Sequence, residues 1–555
     1  MRGARSSTAA SVGPFSVAAL LVVTVCAALA LAAAGRETSR ATAAASVRFT
    51  SGVAAGEPRS DQVTLWTRLD RAARVELVVA RDRRLRRARR TRVVRTSAAH
   101  DFTVRVTVRG LAPGTRYWYR FRSGRARSPL GTFRTAPASR KSVTVRFAWT
   151  GDFDATPAPG AQRPYWNDFR IFAAMARERN DFNILLGDTI YSDSEVPGAL
   201  RPIALTVAAK WAKYRRNLEQ RPLRQLRASA ALFSHWDDHE FVNDFSPFER
   251  EFSNGVRIDG RTLYERGVRA FRDYAPVAYS RRLGIYRSVR WGRNLELFFL
   301  DERSFRSSKA SAGWVCDNPI TGEPDLAPTA PPDKRALFAA LVPSLAAPVA
   351  QRCLETIRSP ARTMLGRAQR ERFLSDLRRS RARFKVVVNE VPMQQFYALP
   401  YDRWEGYEAE RRTLVRAIAR VPGTVVITTD VHATLVNDVR LRTLEAGGSQ
   451  PSGVLEVTVG PAATANFGLE IDTAVGRSGA GRLVDDVFFE PAPPAGVGMR
   501  CSVIDRFSYG QVTVTGRELR IVPKGEDGRP LREESGRLAA RSSCAARSCC
   551  RCRGR

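Results

Sequence analysis

The sequence is sparing with several residue types that carry chemistry. Its 555 residues hold only four His, five Met and eight Cys, and seven of its 90 basic residues are Lys. After the N-terminal region no second long apolar run occurs, which excludes a multi-span membrane protein. No Gly-x-x-x-x-Gly-Lys loop is present, which argues against NTP-driven chemistry. No short-period repeat is found. The cysteines of the tail, Cys544, Cys549, Cys550 and Cys552, follow no zinc-site spacing.

What the chain does have is an ordinary apolar content of 44% with 26% charged residues, which excludes a wholly disordered protein. Its length suits two to four domains. The formal charge of +35 resembles a nucleic-acid signal, but it comes from 83 Arg, a skew expected of GC-rich coding. Much of the excess lies in two patches, Arg81 to Arg95 and the C-terminal tail. Neither interleaves aromatics or matches a nucleic-acid module, so no nucleic-acid partner is expected. A basic surface of this kind concentrates small anions near a site.

Arg2 and Arg5 precede an apolar stretch from Phe15 to Ala34, with small residues at Ala30 and Ala32. This order of parts is that of a secretory signal, with an uncleaved anchor helix as the alternative. A secreted or cell-surface location is therefore expected. Cys316 and Cys353 flank a Pro- and Ala-rich insertion between Ser307 and Ser359, and a disulfide between them would close it.

From Val47 to Thr135 the pattern alternates with period two: Gln62–Arg68, Arg74–Ala80, Asp101–Val108 and Arg116–Arg122 read as strands. Short strands separated by turn signals imply a small all-β sandwich, with Arg81–Arg95 near a loop. The turn Leu111-Ala112-Pro113-Gly114-Thr115 leading into Tyr117-Trp118-Tyr119 resembles a fibronectin III or Ig-like domain. Beyond it, helical patterns alternate with short strands. Trp166–Arg179 and Leu205–Arg227 read as helices. The strand runs Val143–Thr150, Asp181–Leu186, Ala231–His235, Leu295–Leu300, Phe384–Val388 and Thr424–Thr428 each finish just before a polar residue. That is the pattern of an α/β site, where ligands bind beyond the carboxyl ends of strands. The expected organisation is a signal or anchor at 1–34, a linker at 35–45, the sandwich at 46–138, a catalytic α/β domain at 142–522 and a basic, disordered tail at 523–555.

Five strand ends deliver Asp152, Asp188, Asp238, Asn389 and Asp430, and three of the four histidines, His235, His239 and His432, fall in the same segments. A single carboxylate after a strand is often only a turn or helix cap. Five of them with clustered histidines suit a hard or borderline metal such as Fe, Mn, Zn or Ca. Two such metals together bind a phosphoryl group and activate water for in-line attack. Arg303 and Arg306, after the strand end at Asp301, can hold a substrate phosphate, although with so many arginines either can be surface filler. Asp402, Trp404 and Tyr407 form an active-site loop or pack in the core.

Gly187-Asp188-Thr189-Ile190-Tyr191, Trp236-Asp237-Asp238-His239-Glu240 with Asn243 behind it, and Thr429-Asp430-Val431-His432 resemble the PhoD-like alkaline phosphatase family of calcineurin-like metallophosphoesterases. Gly52–Pro58 with Val63–Arg68, Leu300–Arg303, Met364–Gly366 and Asp402–Tyr407 are similar to the same family, in order from about Phe49 to Val514. The resemblance implies an α/β metallophosphoesterase domain, a mixed β-sandwich core flanked by helices. It implies that Asp152 binds a first metal, Asp188 bridges two, and Tyr191 and His432 complete the first site, with Tyr191 favouring Fe(III). Asp238, Asn389 and Asp430 are then ligands of the second metal, and His239 protonates the leaving group. Asp154, His235 and Asn243 stand behind the ligands; His235 also reads as a core histidine and Tyr191 as a packed aromatic. Asp152 stands where many relatives place Cys, and Asp154 where a histidine is usual, so the site is harder than one with a thiolate. Fe and Ca follow from the resemblance, with Mn or Zn as alternatives. The expected activity is hydrolysis of phosphate mono- or diesters by a monomer. The competing readings are a phospholipase D-like diesterase on the same fold and a non-catalytic surface protein that binds anionic polymers.

Overall fold

In the computed structural model the described residues are 46–252, 255–531 and 551–553. The expected signal, the linker and most of the tail lie outside them. Alternating β-branched residues give eight strands before residue 135: β1 (Phe49–Gly56), β2 (Gln62–Leu69), β3 (Arg74–Ala80), β4 (Arg89–Arg95), β5 (Thr103–Arg109), β6 (Arg116–Ser123), β7 (Ala126–Arg127) and β8 (Gly131–Arg134). Next come β9 (Val145–Thr150), β10 (Phe182–Leu186), β11 (Ala231–His235), β12 (Arg287–Trp291), β13 (Leu295–Phe299), β14 (Phe384–Val388) and β15 (Thr424–Thr428). The chain finishes with β16 (Thr434–Arg442), β17 (Gln450–Thr458), β18 (Cys501–Val503), β19 (Tyr509–Val514), β20 (Glu518–Lys524) and β21 (Arg551–Arg553).

The strands β10, β11, β14 and β15 are buried at every residue, as parallel strands covered on both faces must be. They lie in two mixed sheets. One has nine strands in the order β21-β20-β19-β9-β10-β11-β1-β2-β5, and the other seven in the order β12-β13-β14-β15-β17-β16-β18. β9, β10 and β11 run parallel in the first, and β13, β14, β15 and β17 in the second. The sheets face each other through aromatic pairs, Phe182 with Trp291 at 4.5 Å and Phe233 with Phe299 at 5.2 Å between ring centroids. The Trp149 indole on β9 donates to the Thr428 carbonyl on β15 at 3.0 Å.

Helices close both outer faces. Those at Arg170–Arg177, Val207–Glu219, Arg221–Ser229 and Gly260–Tyr274 bury Phe172, Leu218, Leu226 and Phe271 with Trp66, Leu185 and Leu232 of the first sheet. Those at Gly366–Arg379 and Glu408–Ala419 bury Phe373, Leu414 and Ile418 with Phe298, Val387 and Val426 of the second. The stretch expected as one helix from 205 to 227 is two, broken at Gln220, whose extended backbone is followed by Pro222 in the first turn of the second helix. No helix among the described residues is long and apolar enough to cross a membrane.

The N-terminal strands depart from a self-contained sandwich. β3, β4, β6, β7 and β8 form their own sheet, but β1, β2 and β5 continue the nine-stranded one, because β1 pairs in parallel with β11. The small residues of β1 (Gly52-Val53-Ala54-Ala55-Gly56) let it lie buried between neighbours. The arginine run does not stay a loop throughout, since Arg89–Arg95 is strand β4. An ionic knot fixes this junction. Asp101 accepts two bonds from Arg68 at 3.0 Å each, one from Arg215 at 2.6 Å, and one from the Tyr274 hydroxyl. Burial raises the Asp101 carboxyl, but Arg68, Tyr274 and Arg215 outweigh it and hold it below its usual range. Cys316 and Cys353 form the expected disulfide across the insertion, 37 residues apart.

Asp101→Ala strands the Arg68 and Arg215 charges, so a loss of about 3–5 kcal/mol is expected; denaturant unfolding measures it, and an unchanged midpoint would refute the role. Cys316→Ser with Cys353→Ser releases a loop whose closure contributes about 4 kcal/mol in the chain-entropy model. Early protease cleavage confined to residues 307–359 is expected, and resistance equal to the oxidised protein would contradict it.

Candidate metal centre

The parallel strands deliver the site. Asp152 follows β9, Asp188 follows β10, Asp237 and Asp238 follow β11, Asn389 follows β14, and Asp430 with His432 follows β15. Asp152, Asp188, Asp430 and His432 all have positive φ, between 45° and 71°, a region that non-glycine residues enter at a cost and that clusters at functional sites. Gly460 keeps its place because its φ is 126° and a Cβ there would collide with the Asp152 carboxylate.

Two groups of side chains can each hold a metal ion on one edge: Asp152 with Asp188 and His432, and Asp188 with Asp238 and His239, every ligand atom in a group lying within 4.8 Å of the others. Asp237, Asp238 and Asp430 make a further group, so Asp188 and Asp238 are each shared. The Tyr191 hydroxyl lies 3.0 Å from His432 Nε2, and its ring stacks on His239 at 4.0 Å. Thus Asp152, Asp188, Tyr191, Asp238, His239, Asp430 and His432, seven positions scattered over 281 residues of sequence, converge. Asn389 sits at the same edge; its amide donates to the Val391 carbonyl, and its buried Oδ1 has no hydrogen-bond partner.

Electrostatics fit a cation. Asp152 is fully buried, and neither carboxylate oxygen has a hydrogen-bond partner. Burial pushes its carboxyl up to about 7, against the pull of His432. Burial and the neighbouring Asp238 raise Asp188, and burial with Asp237 and Asp238 raises Asp430. Burial lowers His432, but Glu470 and Asp152 outweigh it and push the imidazole up to about 10. Carboxylates so desolvated and crowded are stable as anions only with cations among them. The oxygen and imidazole donors match hard or borderline metals.

The remaining expected positions have other surroundings. His235 is fully buried between the sheets, its Nδ1 2.9 Å from both the Trp236 carbonyl and Glu390, and burial lowers its pKa to about 3. Asp154 accepts from Thr156 N at 2.9 Å and Ser194 Oγ at 2.5 Å. The Asn243 backbone donates to Asp193 at 2.7 Å. Arg303 and Arg306 stand among carboxylates rather than on the open surface. Both are fully buried; Arg303 grips Asp237 and Asp402 and stands 3.8 Å from Asp238 and 3.9 Å from Asp430, while Arg306 binds Asp402 at 2.8 Å. They act as fixed counter-charges within the carboxylate cluster. Trp404 and Tyr407 pack in the second core, and Asp402 is the member of that loop that reaches the site.

Sequence reasoning missed the groups that orient the histidines. Asp193 lies 2.8 Å from His239 Nδ1, and Glu470, on the helix Phe467–Val475, contacts His432 Nδ1. Glu240 accepts from Thr189 N at 2.6 Å and Asp237 N at 2.7 Å, tying two strand-end loops together. Asp193 and Glu240 adjoin the recognised motifs and were legible there; Glu470 carries no sequence signal.

Two facing mixed sheets between helices, with carboxylates and histidines at a shared carboxyl edge, fit the metallophosphoesterase fold. The chain belongs to the PhoD-like phosphatase family, a family of phosphoester hydrolases: that family's sequence model matches residues 158–486, and the model of its N-terminal domain matches residues 33–137. Alkaline phosphatase D of Bacillus subtilis (strain 168) is 26% identical over 433 residues, spanning 71% of this chain and 66% of that protein. Among solved structures, PhoD has a TM-score of 0.66 at 22% identity and covers 90% of each chain. A purple acid phosphatase from yellow lupin (Lupinus luteus) seeds has a TM-score of 0.51 at 12% identity, covering 86% of this chain and 72% of that one.

Removing the carboxylate shared by two groups, as in Asp188→Ala, is expected to abolish stoichiometric metal retention, measured by elemental analysis after dialysis. Glu470→Gln is expected to weaken metal affinity about 10–100-fold by loosening His432. Retention equal to wild type in both would remove the centre from this edge.

Proposed function

We propose that this protein is an exported, metal-dependent phosphoesterase that hydrolyses phosphate mono- or diesters. The observation that carries metal dependence is the Asp152 carboxylate, fully buried with no hydrogen-bond partner on either oxygen, grouped with Asp188 and His432. Asp152, Asp188, Tyr191 and His432 are the residues to hold one ion, and Asp188, Asp238, Asn389 and Asp430 a second. Iron and calcium follow from the family, and Mn or Zn suits the same donors. Bound there, such ions supply Lewis-acid charge to the phosphoryl oxygens and lower the pKa of water.

The chain's own residues do the rest. Asp193 holds His239 Nδ1, and the Tyr191 ring fixes the imidazole plane, so Nε2 is the atom left to give a proton to the departing alcohol. Burial lowers the His239 pKa, but Asp193, Asp238 and Asp188 outweigh it and raise it well above its usual value, which favours the proton-bearing form. Burial raises the Asp402 carboxyl, but Arg303 and Arg306 outweigh it and hold it well below the usual carboxylate range. Arg303 also pairs with Asp237, whose carboxyl burial still pushes up to about 7. The β-rich segment 46–138 is read as a fibronectin III-like packing module. Arg2, Arg5 and the apolar stretch after them support export to the cell exterior.

The test is hydrolysis of a chromogenic monoester and its bis-ester with Ca, Mn, Fe or Zn supplied. His239→Asn is expected to lower turnover about 10²–10⁴-fold, with a greater loss for an alkyl leaving group than for a nitrophenolate, which needs no proton. An equal loss for both would remove His239 from the proton-donor role. A folded, metal-loaded protein with no turnover on either ester would favour the non-catalytic, polyanion-binding alternative.

A further inference from the structure

Among the described residues, the cations that meet the carboxylate cluster are not all held alike. Arg303 and Arg306 are fully buried and clamped by carboxylates. Lys309 lies at the start of the disulfide-closed insertion, and its backbone is fixed on both sides. Its N–H donates to Glu249 at 2.7 Å, and Arg362 donates to the preceding Ser308 carbonyl at 2.7 Å. The following Ala310 packs in a small core with Cys316 and Cys353. The tip of the side chain is held far less firmly. The ammonium lies 3.4 Å from Asp244 and 3.8 Å from Glu249, so it forms one long hydrogen bond with three donors available.

The tip also stands beside the metal centre. Asp238, Asp244 and Asp402 form a further group whose ligand atoms lie within 4.8 Å of one another, and Lys309 meets that group through Asp244. Asp238 is shared with the group of Asp188 and His239. The His239 backbone donates to one Asp238 oxygen at 3.0 Å, and the Asp244 backbone to the other at 2.5 Å. Asp238 thus stands between the proton donor and Lys309. Lys309 is largely buried, but the Asp244 side chain beside it is 34% exposed, which places the ammonium one contact from solvent.

We infer that Lys309 binds a terminal phosphate oxygen of the substrate and thereby selects monoesters over diesters. The inference rests on the phosphoesterase reading. A phosphoryl group beside Asp238 has its leaving oxygen toward His239 and another of its oxygens toward Lys309. In alkaline solution a monoester carries two charges over three terminal oxygens, so the oxygen facing Lys309 is anionic. A diester carries one charge over two such oxygens, and its second alkoxy group is a poor acceptor. However a diester is turned, its lower charge gains less from the ammonium. A site with a fixed charged donor rejects an analogue that lacks the matching acceptor, because the donor is left without a strong partner.

The test compares the full protein with Lys309→Met and Lys309→Arg on a chromogenic monoester and its bis-ester. In Lys309→Met, kcat/KM for the monoester is expected to fall about 10–100-fold, mostly through KM, and that for the bis-ester by less than about threefold. Lys309→Arg keeps the charge and is expected to restore most of the monoester rate. Metal content after dialysis is expected to equal wild type in both. Binding of inorganic phosphate and of dimethyl phosphate to the metal-loaded protein, followed by calorimetry, needs no turnover. The Met variant is expected to lose about 10-fold or more in affinity for phosphate and little for dimethyl phosphate. An equal loss for both esters or both ligands would reduce Lys309 to a counter-charge of Asp244 and overturn the inference, as would loss of bound metal in the Met variant. Wild type alone is expected to bind phosphate about 10-fold or more tightly than dimethyl phosphate; equal affinities would overturn the inference even where a variant failed to fold. If wild type turns over neither ester, the phosphoesterase reading fails, while phosphate binding still decides the role of Lys309.

Discussion

Repulsion among carboxylates removed from water is the constraint around which this molecule is arranged. Asp152, Asp188, Asp237 and Asp238 are buried at one edge of two sheets, with the half-buried Asp402 and Asp430 beside them. At such spacing and low dielectric their mutual cost exceeds what hydrogen bonds return. The fold answers in two ways. Arg303 and Arg306, fully buried, neutralise the side that meets Asp237 and Asp402. The side at Asp152 and Asp188 has no such arginine, and it is there that a cation is called for.

The same constraint explains the rigid surroundings. Carboxylates are held in register by positive-φ turns directly after buried parallel strands, so their positions are set by the sheet rather than by a loop. Glu240 and the Asp193–His239 contact bind neighbouring turns to one another. Strain at four of these positions persists because packing on both sheet faces leaves the turns no alternative. A site built this way loses little on binding its ligand, since its donors are already in place.

Much of this was legible in the chain. Strands such as Phe384–Val388 and Thr424–Thr428 stand out as short, continuous apolar runs, and the polar residue beyond each run, Asn389 and Asp430, marks the edge where ligands gather. The motif around Trp236–Glu240 was visible for the same reason. What the sequence hid was partnership over distance. The burial of Arg303 and Arg306 depends on Asp402, about a hundred residues away, and nothing in their local sequence separates them from the many surface arginines. Glu470 sits on a helix with no motif, and only the fold carries it to His432. The run Arg89–Arg95 was obscured by its charge, although Thr91, Val93 and Val94 are ordinary strand residues.

The parallel seam between β1 and β11 has a meaning for how the chain can be divided. Sequence boundaries invite a cut near residue 138, but the nine-stranded sheet crosses that point, since β1, β2 and β5 complete the side of β11. A fragment beginning after the cut would present β11 as a bare edge of unpaired N–H and C=O groups beside the very loop that carries Asp237 and Asp238. Such an edge recruits strands from other molecules. The N-terminal segment is thus a cover for the catalytic sheet, and its loss would leave an edge open to self-association.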